Sequence, residues 1–489
     1  MRRLALILLV FSTFAAACGA DRPTFEDSAA REVDPDAGDV ASSVEADGGA
    51  EAEARPLRLA IPGGLSLDPA EAGPASLSAR VVSGLLYEGL TRLNDEGGVE
   101  AGLAERWFIS DDRLTWTFVL PQALTDGTGV PLTARDVKIS LERVARRGLA
   151  DQAATALRSV TGWDDLMNGR TGGAAGIVAP DPTTLVIGLD SPFELLPYVL
   201  AAPAYGVTGE NADGSLRTTG EYRTTDRAKV LRAVDDTSAV ATIELVVDPD
   251  GPAAAVASGD ADWAVLAAGD STVGLAADVI RQPLDLEVAV VARVASKEER
   301  LGVLGALQSL LLADSVDAVT ARAVPGASDP GIVPAAVLLD IPAGTLEPLG
   351  RAIAEQLEAA GIEVVAVTSE PEDFAARLAD GDALVFPVVI AGGFGPSGGI
   401  LRLATPGGVD DAFGVASAAR TELATALATE RDSEQRALFA AALERALIDD
   451  GYLLPVGRFE VRVAIGDRFT GLRHRADGTL DLRSVRPAG

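Results

Sequence analysis

The 489-residue chain has one cysteine, Cys18, and one histidine, His474, and aromatic residues make up only 4% of it. Catalysis by Cys/His or Ser/His/Asp groups, and catalysis by a His-ligated metal, all need histidine. His474 lies in the polar sequence GLRHRADG with no second histidine to pair with, and we interpret it as a surface residue. We therefore predict that the protein is not an enzyme and holds no metal and no cofactor.

Positive charge is also scarce, with 41 basic against 72 acidic residues and a net charge of -31. A nucleic-acid partner is excluded because the chain lacks the basic face that neutralises phosphates. The charge favours a soluble monomer and repels an anionic membrane surface. There is no Walker A sequence and no GxGxxG after a strand, which argues against nucleotide chemistry. Carboxylate pairs are so abundant that no chosen pair indicates glycosidase chemistry.

The first 17 residues have the organisation of an export signal, with Arg2 and Arg3 before an apolar run that ends in Ala15-Ala16-Ala17. Cys18 follows directly, at the place where bacterial lipoproteins carry the residue that is acylated. We predict a lipoprotein signal peptide over residues 1–17 and a lipid anchor on Cys18. The alternative is cleavage by the ordinary signal peptidase, which would leave a free thiol near the new N-terminus.

A polar segment follows over residues 18–56. Its part from Gly19 to Pro56 contains eleven acidic residues against three arginines, and Phe25 is its only aromatic residue. Such a composition cannot bury enough apolar surface to offset the entropy of ordering it. We predict a disordered acidic tether between the anchor and the folded part.

The segment 103–146 has the strongest local pattern. Alternation in LTWTFVL predicts a strand that buries Leu114, Trp116, Phe118 and Leu120. Turn residues in DGTGVP follow, and Thr133 with Asp136 forms a capping-box pattern that opens a helix. The apolar positions of that helix are Val137, Leu141 and Val144.

In order, this segment contains an LAE-W motif, the strand DDRLTWTF, the turn DGTGVPLTARDV and a helix with LER. Together with LDP at 67–69 and YEGL at 87–90, it resembles the family 5 bacterial extracellular solute-binding proteins. These are the oligopeptide- and dipeptide-type receptors of ABC transporters. The alternative for the segment alone is an ordinary strand-turn-helix unit of an α/β domain.

The resemblance implies an α/β, bilobal, periplasmic-binding-protein-like fold of type II. It has doubly wound mixed sheets in two lobes joined by hinge strands, and an extra subdomain in the first lobe. The implied ranges are 57–76, 190–283 and 457–489 for the first lobe, 77–189 for its subdomain and 284–456 for the second lobe. The residues agree, because apolar strands at AAVLLDI, IEVVAV and ALVFPVVI alternate with helices at 346–360 and 372–378, as in a parallel sheet covered on both faces. Between about 264 and 334 the resemblance is poor.

The implied function is that of an extracytoplasmic receptor, anchored to the cell membrane by its lipid. It would close by hinge motion on a small, peptide-like solute and deliver it to the permease and ATPase subunits of an ABC importer. The alternative is a lipoprotein that keeps the fold without transport and serves as an interaction or sensing module.

We predict ligand contacts at the loops that end strands, because clefts of α/β proteins lie there. The candidates are Ser66, Tyr205, Tyr222, Trp263, Gly392, Gly393 and Phe394. Tyr222 stands where the family has a Gly-Pro-Tyr hinge motif, with Glu221 in place of the proline. The alternative for the tyrosines and Trp263 is core or hinge packing, and for the glycines a turn.

Peptide receptors of this family place an aspartate after the third strand of the second lobe, where it pairs with the ligand's ammonium. Here residues 391–394 contain no acid, and the next acid is Asp410. A buried ammonium without a carboxylate partner carries a desolvation cost. We therefore expect a neutral or N-blocked ligand. The alternative is that Asp410 or Asp411 supplies the charge.

Overall fold

The computed structural model describes residues 55–61, 66–71, 77–94, 98–147, 156–211, 215–225, 229–235, 238–247, 251–266, 278–294, 296–315, 319–321, 331–342, 346–370, 373, 377, 384–391, 417–430, 432–475 and 477–488. Cys18, the tether, Gly392, Gly393, Phe394, Asp410 and Asp411 lie outside these residues, and so does most of the helix expected over 372–378.

Up to residue 266 the strands are β1 (Leu57–Ile61), β2 (Thr91–Leu93), β3 (Val99–Ala101), β4 (Arg106–Ile109), β5 (Thr115–Val119), β6 (Ile177–Asp181), β7 (Thr184–Gly188), β8 (Gly209–Glu210), β9 (Leu216–Arg217), β10 (Tyr222–Thr224), β11 (Val230–Ala233), β12 (Thr242–Val247) and β13 (Trp263–Leu266). After it they are β14 (Asp278–Arg293), β15 (Val319–Ala321), β16 (Ala336–Pro342), β17 (Glu363–Ser369), β18 (Leu384–Ala391), β19 (Leu453–Ile465), β20 (Phe469–Thr470), β21 (Arg473–His474), β22 (Leu480–Asp481) and β23 (Arg486–Pro487).

The α-helices are α1 (Leu77–Leu86), α2 (Ala134–Ala145), α3 (Trp163–Met167), α4 (Leu196–Val199), α5 (Pro252–Ala257), α6 (Lys297–Gly305), α7 (Ser309–Asp314), α8 (Glu347–Ala359), α9 (Ala418–Thr429) and α10 (Ser433–Asp449). Two 3-10 helices cover Pro69–Glu71 and Pro203–Tyr205. Among the described residues no helix has both the length and the apolar character needed to cross a membrane.

Eleven strands form one large sheet in the order β10-β11-β12-β1-β13-β19-β14-β18-β16-β17, with β15 also paired to β19. Strands β14 and β19 are its longest members and pair antiparallel from Asp278 opposite Ile465 to Val291 opposite Leu453. Strands of the predicted first lobe lie on one side of this pair, and strands of the predicted second lobe lie on the other. The predicted boundaries 283/284 and 456/457 fall inside β14 and β19, and the domain ranges stay predictions.

The segment 103–146 folds largely as its pattern predicts, except that Leu114 lies just before β5 and is only half-buried. Strand β5 buries Trp116 and Phe118 and pairs with β4 and β7 in a four-stranded sheet, β4-β5-β7-β6. Thr133 and Asp136 form the expected capping box at the start of α2. The three apolar residues of α2, Val137, Leu141 and Val144, are buried, and each contributes about 1.5–3 kcal/mol of burial free energy.

Helix α1 lies on the large sheet, although the expected ranges assign it to the subdomain. Its residues Val81 and Leu85 share one core with Leu59 of β1 and Ile243 of β12. This packing is typical of a helix that follows the first strand of an α/β sheet and covers one face of it.

The second lobe contains the expected parallel strands, since β16 pairs parallel with both β17 and β18. Helix α8 lies between β16 and β17 in the chain, and Gly361 follows its end with φ +84°, as expected for a glycine that ends a helix. Strand β14 was not expected. Pro283 stands inside it, where the pairing with β19 is irregular between Pro283 and Glu287.

Candidate functional site: a cleft between two strand edges

Two sets of strand ends face each other across the large sheet. In the first lobe β1, β12 and β13 run parallel, so that Ile61, Val247 and Leu266 end at one edge. In the second lobe β16, β17 and β18 run parallel and end at Pro342, Ser369 and Ala391. These are carboxyl edges, where ligands of open α/β sheets bind.

The pairing register of β14 and β19, the strands that run from one lobe to the other, sets the distance between the two carboxyl edges. Leu266 pairs with Arg462, which pairs with Arg281 of β14, whereas Ala391 pairs with Leu286 of β14. The carboxyl edges are thus separated by only five residues of β14, roughly 17 Å at the rise of a strand. The irregular pairing after Pro283 falls in this gap. Proline donates no ladder hydrogen bond, so the crossing is weakened where a hinge is needed.

The loop after β1 lies at this cleft edge. Ser66 is half-buried, and its Oγ accepts a hydrogen bond from the backbone N–H of Asp68 at 3.1 Å. One carboxylate oxygen of Asp68 accepts from the N–H of Ala70 at 2.8 Å, and the other pairs with Arg143 of α2. Asp68 therefore stabilises the turn that leads into the first 3-10 helix. Ligand contact by Ser66 stays a prediction.

Tyr205 ends the second 3-10 helix and is 3% exposed. It belongs to the core that contains Leu90, Leu141 and Val207. This burial favours the packing alternative for Tyr205.

Tyr222 and Trp263 lie away from the cleft edge. Tyr222 begins β10 beside Ala233, near the amino end of β12, and its hydroxyl donates to the carbonyl of Val240 at 2.7 Å. Burial raises the pKa of the Tyr222 phenol well above its usual value. The hinge position expected for Tyr222 is wrong, because β14 and β19 make the crossing and β10 is the outermost strand. Its burial favours the alternative of core packing.

Trp263 is the first residue of β13, and the cleft lies at the other end of that strand. The indole is fully buried, and its Nε1 donates to Nε2 of His474 at 3.1 Å. The expectation of a surface histidine is therefore wrong. The C-terminal strands β21 and β22 fold His474 against the indole, and burial lowers the pKa of the imidazole below its usual 6.5.

Near this far edge lies a cavity of about 650 Å³, bounded by Glu88, Gly220, Tyr222, Ser238 and Arg483 among others. Glu88 is half-buried, and its Oε1 is buried with no hydrogen-bond partner among the described residues. Burial raises the pKa of Glu88 to about 7. Nearby Arg92 and Arg475 lower it, whereas Glu221 and Asp477 raise it.

At the carboxyl edge of the second lobe the structure brings together three residues that the sequence did not single out. Arg377 donates from Nε to Oδ2 of Asp340 at 2.6 Å and from Nη2 to Oγ of Ser369. Asp340 is fully buried although its strand, AVLLDIP, is otherwise apolar. A single acid in an apolar strand is the sequence signal that could have indicated this cluster, because a buried carboxylate requires a charged or hydrogen-bonding partner.

Comparisons with known proteins agree with this geometry. Residues 98–281 match the bacterial extracellular solute-binding proteins, family 5, middle region. A dipeptide-binding protein of Lactococcus lactis is 30% identical over 125 residues, 25% of this chain and 23% of the relative. The periplasmic murein peptide-binding protein MppA of Escherichia coli K12 is 34% identical over 130 residues, 26% of this chain and 24% of the relative. The matched sequence thus spans about a quarter of each relative.

Solved structures match over far more of the chain. The Escherichia coli murein tripeptide-binding protein MppA superposes with a TM-score of 0.65 at 18% identity, over 90% of this chain and 99% of that one. The binding protein AgaA of A. tumefaciens R10, in complex with agropinic acid, gives 0.67 at 17% identity, over 89% and 99%. The fold is therefore the type II periplasmic-binding-protein-like fold, as predicted. The match over residues 98–281 relates this part of the chain to the family 5 extracellular solute-binding proteins, whose members are binding proteins and not enzymes.

Proposed function

We propose that the protein is the extracytoplasmic receptor of an ABC importer and closes on a small, peptide-like solute between its two lobes. The observation that carries the proposal is the register of β14, which sets two carboxyl edges opposite each other around an irregular crossing. Closure by hinge motion needs a place where the crossing strands can bend, and the irregular pairing after Pro283 supports such a place. Two sequence relatives, a dipeptide-binding and a murein peptide-binding protein, support a peptide-like solute.

The proposal includes partners and location. The permease and ATPase subunits of an importer would receive the solute, and a lipid on Cys18 would hold the receptor at the outer face of the cell membrane. The export pattern before Cys18 supports this location, and the net charge of -31 supports a soluble monomeric domain beyond the anchor.

Mass spectrometry of small molecules released on denaturing the purified protein tests the proposal. A recovered solute should compact the protein in X-ray scattering. A solute that binds only the folded, closed form should stabilise it by about 2.7 kcal/mol at a hundredfold excess over Kd. If the radius and the melting temperature stay unchanged across a broad library of peptides and sugars, the proposal is wrong. The fold would then serve an interaction or sensing role without transport.

A further inference from the structure

The cavity beside Glu88 is a second concave surface, separate from the proposed solute cleft. Its walls come from the segment between α1 and β2, the residues before β10, the turn between β11 and β12, and the C-terminal segment. That turn precedes β12, so the cavity lies at the amino end of a strand whose carboxyl end faces the cleft. A volume of about 650 Å³ is usual for a site that binds a small molecule.

Glu88 is held firmly in the wall of this cavity, but its carboxylate lacks a partner. Its backbone N–H donates to Oγ1 of Thr219 at 3.1 Å, and its carbonyl accepts from the N–H of Val207 at 2.9 Å. Oε1 lies against Gly102, where an added Cβ would be 3.0 Å away. This oxygen is buried and accepts no hydrogen bond from the described residues. A carboxylate in this state carries a desolvation cost that a cationic hydrogen-bond donor would offset.

The charges around Glu88 leave the cavity locally acidic. Three nearby arginines have acidic partners already: Arg92 pairs with Glu100, and Arg475 and Arg483 pair with Asp481. Arg486 also lines the cavity and donates to two backbone carbonyls. The exposed Glu221 lines it too, and its side chain has no partner in the part of the chain that the structure describes. A ligand therefore meets two carboxylates without partners, and the net charge of -31 favours the approach of a cation.

Apolar side chains complete the wall. Tyr222 and Leu482 are buried, and Val234 keeps 45% of its surface exposed. Such a wall suits an aliphatic stem that carries a charged end. We infer that the cavity is a second binding site, which takes the primary ammonium group of a small aliphatic amine, with Glu88 and Glu221 as its carboxylate partners. This site goes beyond the proposed receptor function and does not depend on it.

Ammonium binding at Glu88 should depend on pH. Burial raises the pKa of the Glu88 carboxyl to about 7, while Arg92 and Arg475 lower it and Glu221 and Asp477 raise it. A proton and an aliphatic ammonium, which stays charged below about pH 10, then compete for one carboxylate between pH 6 and pH 8. The affinity for the amine should therefore fall by about 10-fold from pH 8 to pH 6.

The other ionisable groups around the cavity do not produce this dependence. Aspartate and arginine ordinarily titrate well outside pH 6 to 8. They make up the rest of the charged wall, namely Asp235, Arg483 and Arg486. Burial raises the pKa of Tyr222 and lowers that of His474, on the adjoining strand β21, below 6.5. Glu88→Gln should therefore remove the pH dependence of amine binding.

Calorimetry of the purified protein with diaminobutane tests the inference, and butanediol is the neutral probe of the same length. The titrations use about 0.15 M salt, so that charges more than about 8 Å apart are largely screened. The wild type should bind one equivalent of the diamine at pH 8, and the diol at least about 10-fold more weakly. Glu88→Gln should weaken diamine binding by about 10- to 100-fold, the range of a hydrogen bond to a charged group.

Glu105→Gln is the matched control. It also removes one negative charge, but from an exposed side chain that pairs with Arg106 at 3.4 Å. It should leave the affinity for the diamine unchanged. If Glu88→Gln binds the diamine as well as the wild type does, or if Glu105→Gln loses as much affinity as Glu88→Gln, the diamine binds elsewhere and the inference is overturned.

A second pair of variants tests the cavity without changing Glu88. Val234→Arg adds a cation to an exposed position of the wall, and Val234→Gln adds a polar side chain without the charge. The arginine variant should bind the diamine about 10-fold more weakly than the glutamine variant, because like charges repel. Equal affinities overturn the inference even if Glu88→Gln fails to fold. Absence of saturable diamine binding to the wild type also overturns it, and the receptor function is then still decided by the solute experiments.

Discussion

Arg113 donates a hydrogen bond from Nη1 to the backbone carbonyl of Thr429, 3.1 Å away. Arg113 lies in the turn between β4 and β5 of the predicted first-lobe subdomain, whereas Thr429 ends α9 of the predicted second lobe. The contact is extended by Glu194, whose carboxylate lies 3.5 Å from Nε of Arg113 and whose N–H donates to the carbonyl of Ala428 at 2.9 Å. These bonds tie the two predicted lobes together beside the crossing strands.

Removing this tie should shift the protein toward an open form. Arg113 has φ 59°, a value that costs free energy for any residue except glycine. Arg113→Gly therefore removes the side chain and relieves the backbone strain together. The lost hydrogen bond, about 0.5–1.5 kcal/mol, should lower the fraction of the protein that is closed. Because the solute binds the closed form, its affinity should fall by about 2- to 10-fold. X-ray scattering should show a larger radius without solute.

Arg106→Ala is the control, because Arg106 is 60% exposed and pairs only with its neighbour Glu105 in the described structure. It should leave both radius and affinity unchanged. If Arg113→Gly behaves like Arg106→Ala, the Arg113–Thr429 contact does not contribute to closure.

Glu88 should make stability depend on pH. Its pKa rises from 4.5 to about 7 on folding, so the folded state binds the proton more tightly than the unfolded state. The free energy of unfolding should therefore fall as pH rises from about 4.5 to 7 and level off above that. Glu88→Gln should remove this loss and be more stable than the wild type at pH 8, by at most about 3 kcal/mol.

Urea unfolding at pH 4 and pH 8 measures this difference. Glu105→Gln provides the control, since the Glu105 side chain is 49% exposed and in an ordinary surface ion pair. The difference in unfolding free energy between Glu88→Gln and the wild type should be larger at pH 8 than at pH 4. If it is the same at both pH values, the Glu88 carboxylate is well solvated and the prediction is wrong.

Local patterns in the sequence predicted much of the fold. The alternation around Trp116 and the capping box at Thr133 each depend on residues within a few positions, and both are confirmed. The long strand β14 was missed because Pro283 interrupts its pattern, and only the paired strands β18 and β19 keep that backbone extended. Tertiary pairing of this kind has no local signal.

The site was less predictable for the same reason. Tyr222 and Trp263 are aromatic residues near turns, but the core that contains them includes apolar residues of the C-terminal segment, among them Leu472, more than 200 residues beyond them. Asp340 is the single acid of an apolar strand, but its partner Arg377 lies 37 positions further along the chain, and the sequence alone does not pair the two. Only the register of the parallel strands shows that both lie at the carboxyl edge.

Replacing Cys18 with serine should release the protein from the membrane. The prediction rests on the sequence AAAC at 15–18, because acylation needs the thiol and two acyl chains hold a protein stably at about 0.8 kcal/mol per buried CH₂. Fractionation of cells that produce wild type or Cys18→Ser measures the shift to the soluble fraction. Ser12→Ala, inside the leader, should leave anchoring unchanged. Continued sedimentation of Cys18→Ser with membranes would place the anchor elsewhere.

His474 should stay neutral at a pH where an ordinary histidine is charged. Its Nε2 accepts from the Trp263 indole at 3.1 Å, and Nδ1 lies 3.0 Å from the carbonyl of Gly478, to which its proton is donated. A proton on Nε2 would meet the indole N–H, and burial lowers the pKa of the ring below 6.5. The unfolded chain then binds a proton that the folded chain does not, so stability should fall as pH drops below 6.5.

Because the chain has one histidine, its imidazole signals in NMR report this group alone. They should titrate clearly below pH 6.5. His474→Phe should remove the histidine's share of the pH dependence. It should also cost about 1–3 kcal/mol at pH 7.5, because the buried indole N–H loses its acceptor. Trp263→Phe together with His474→Phe should recover the hydrogen-bond part of that cost. An imidazole that titrates at 6.5 would contradict the proton arrangement given above.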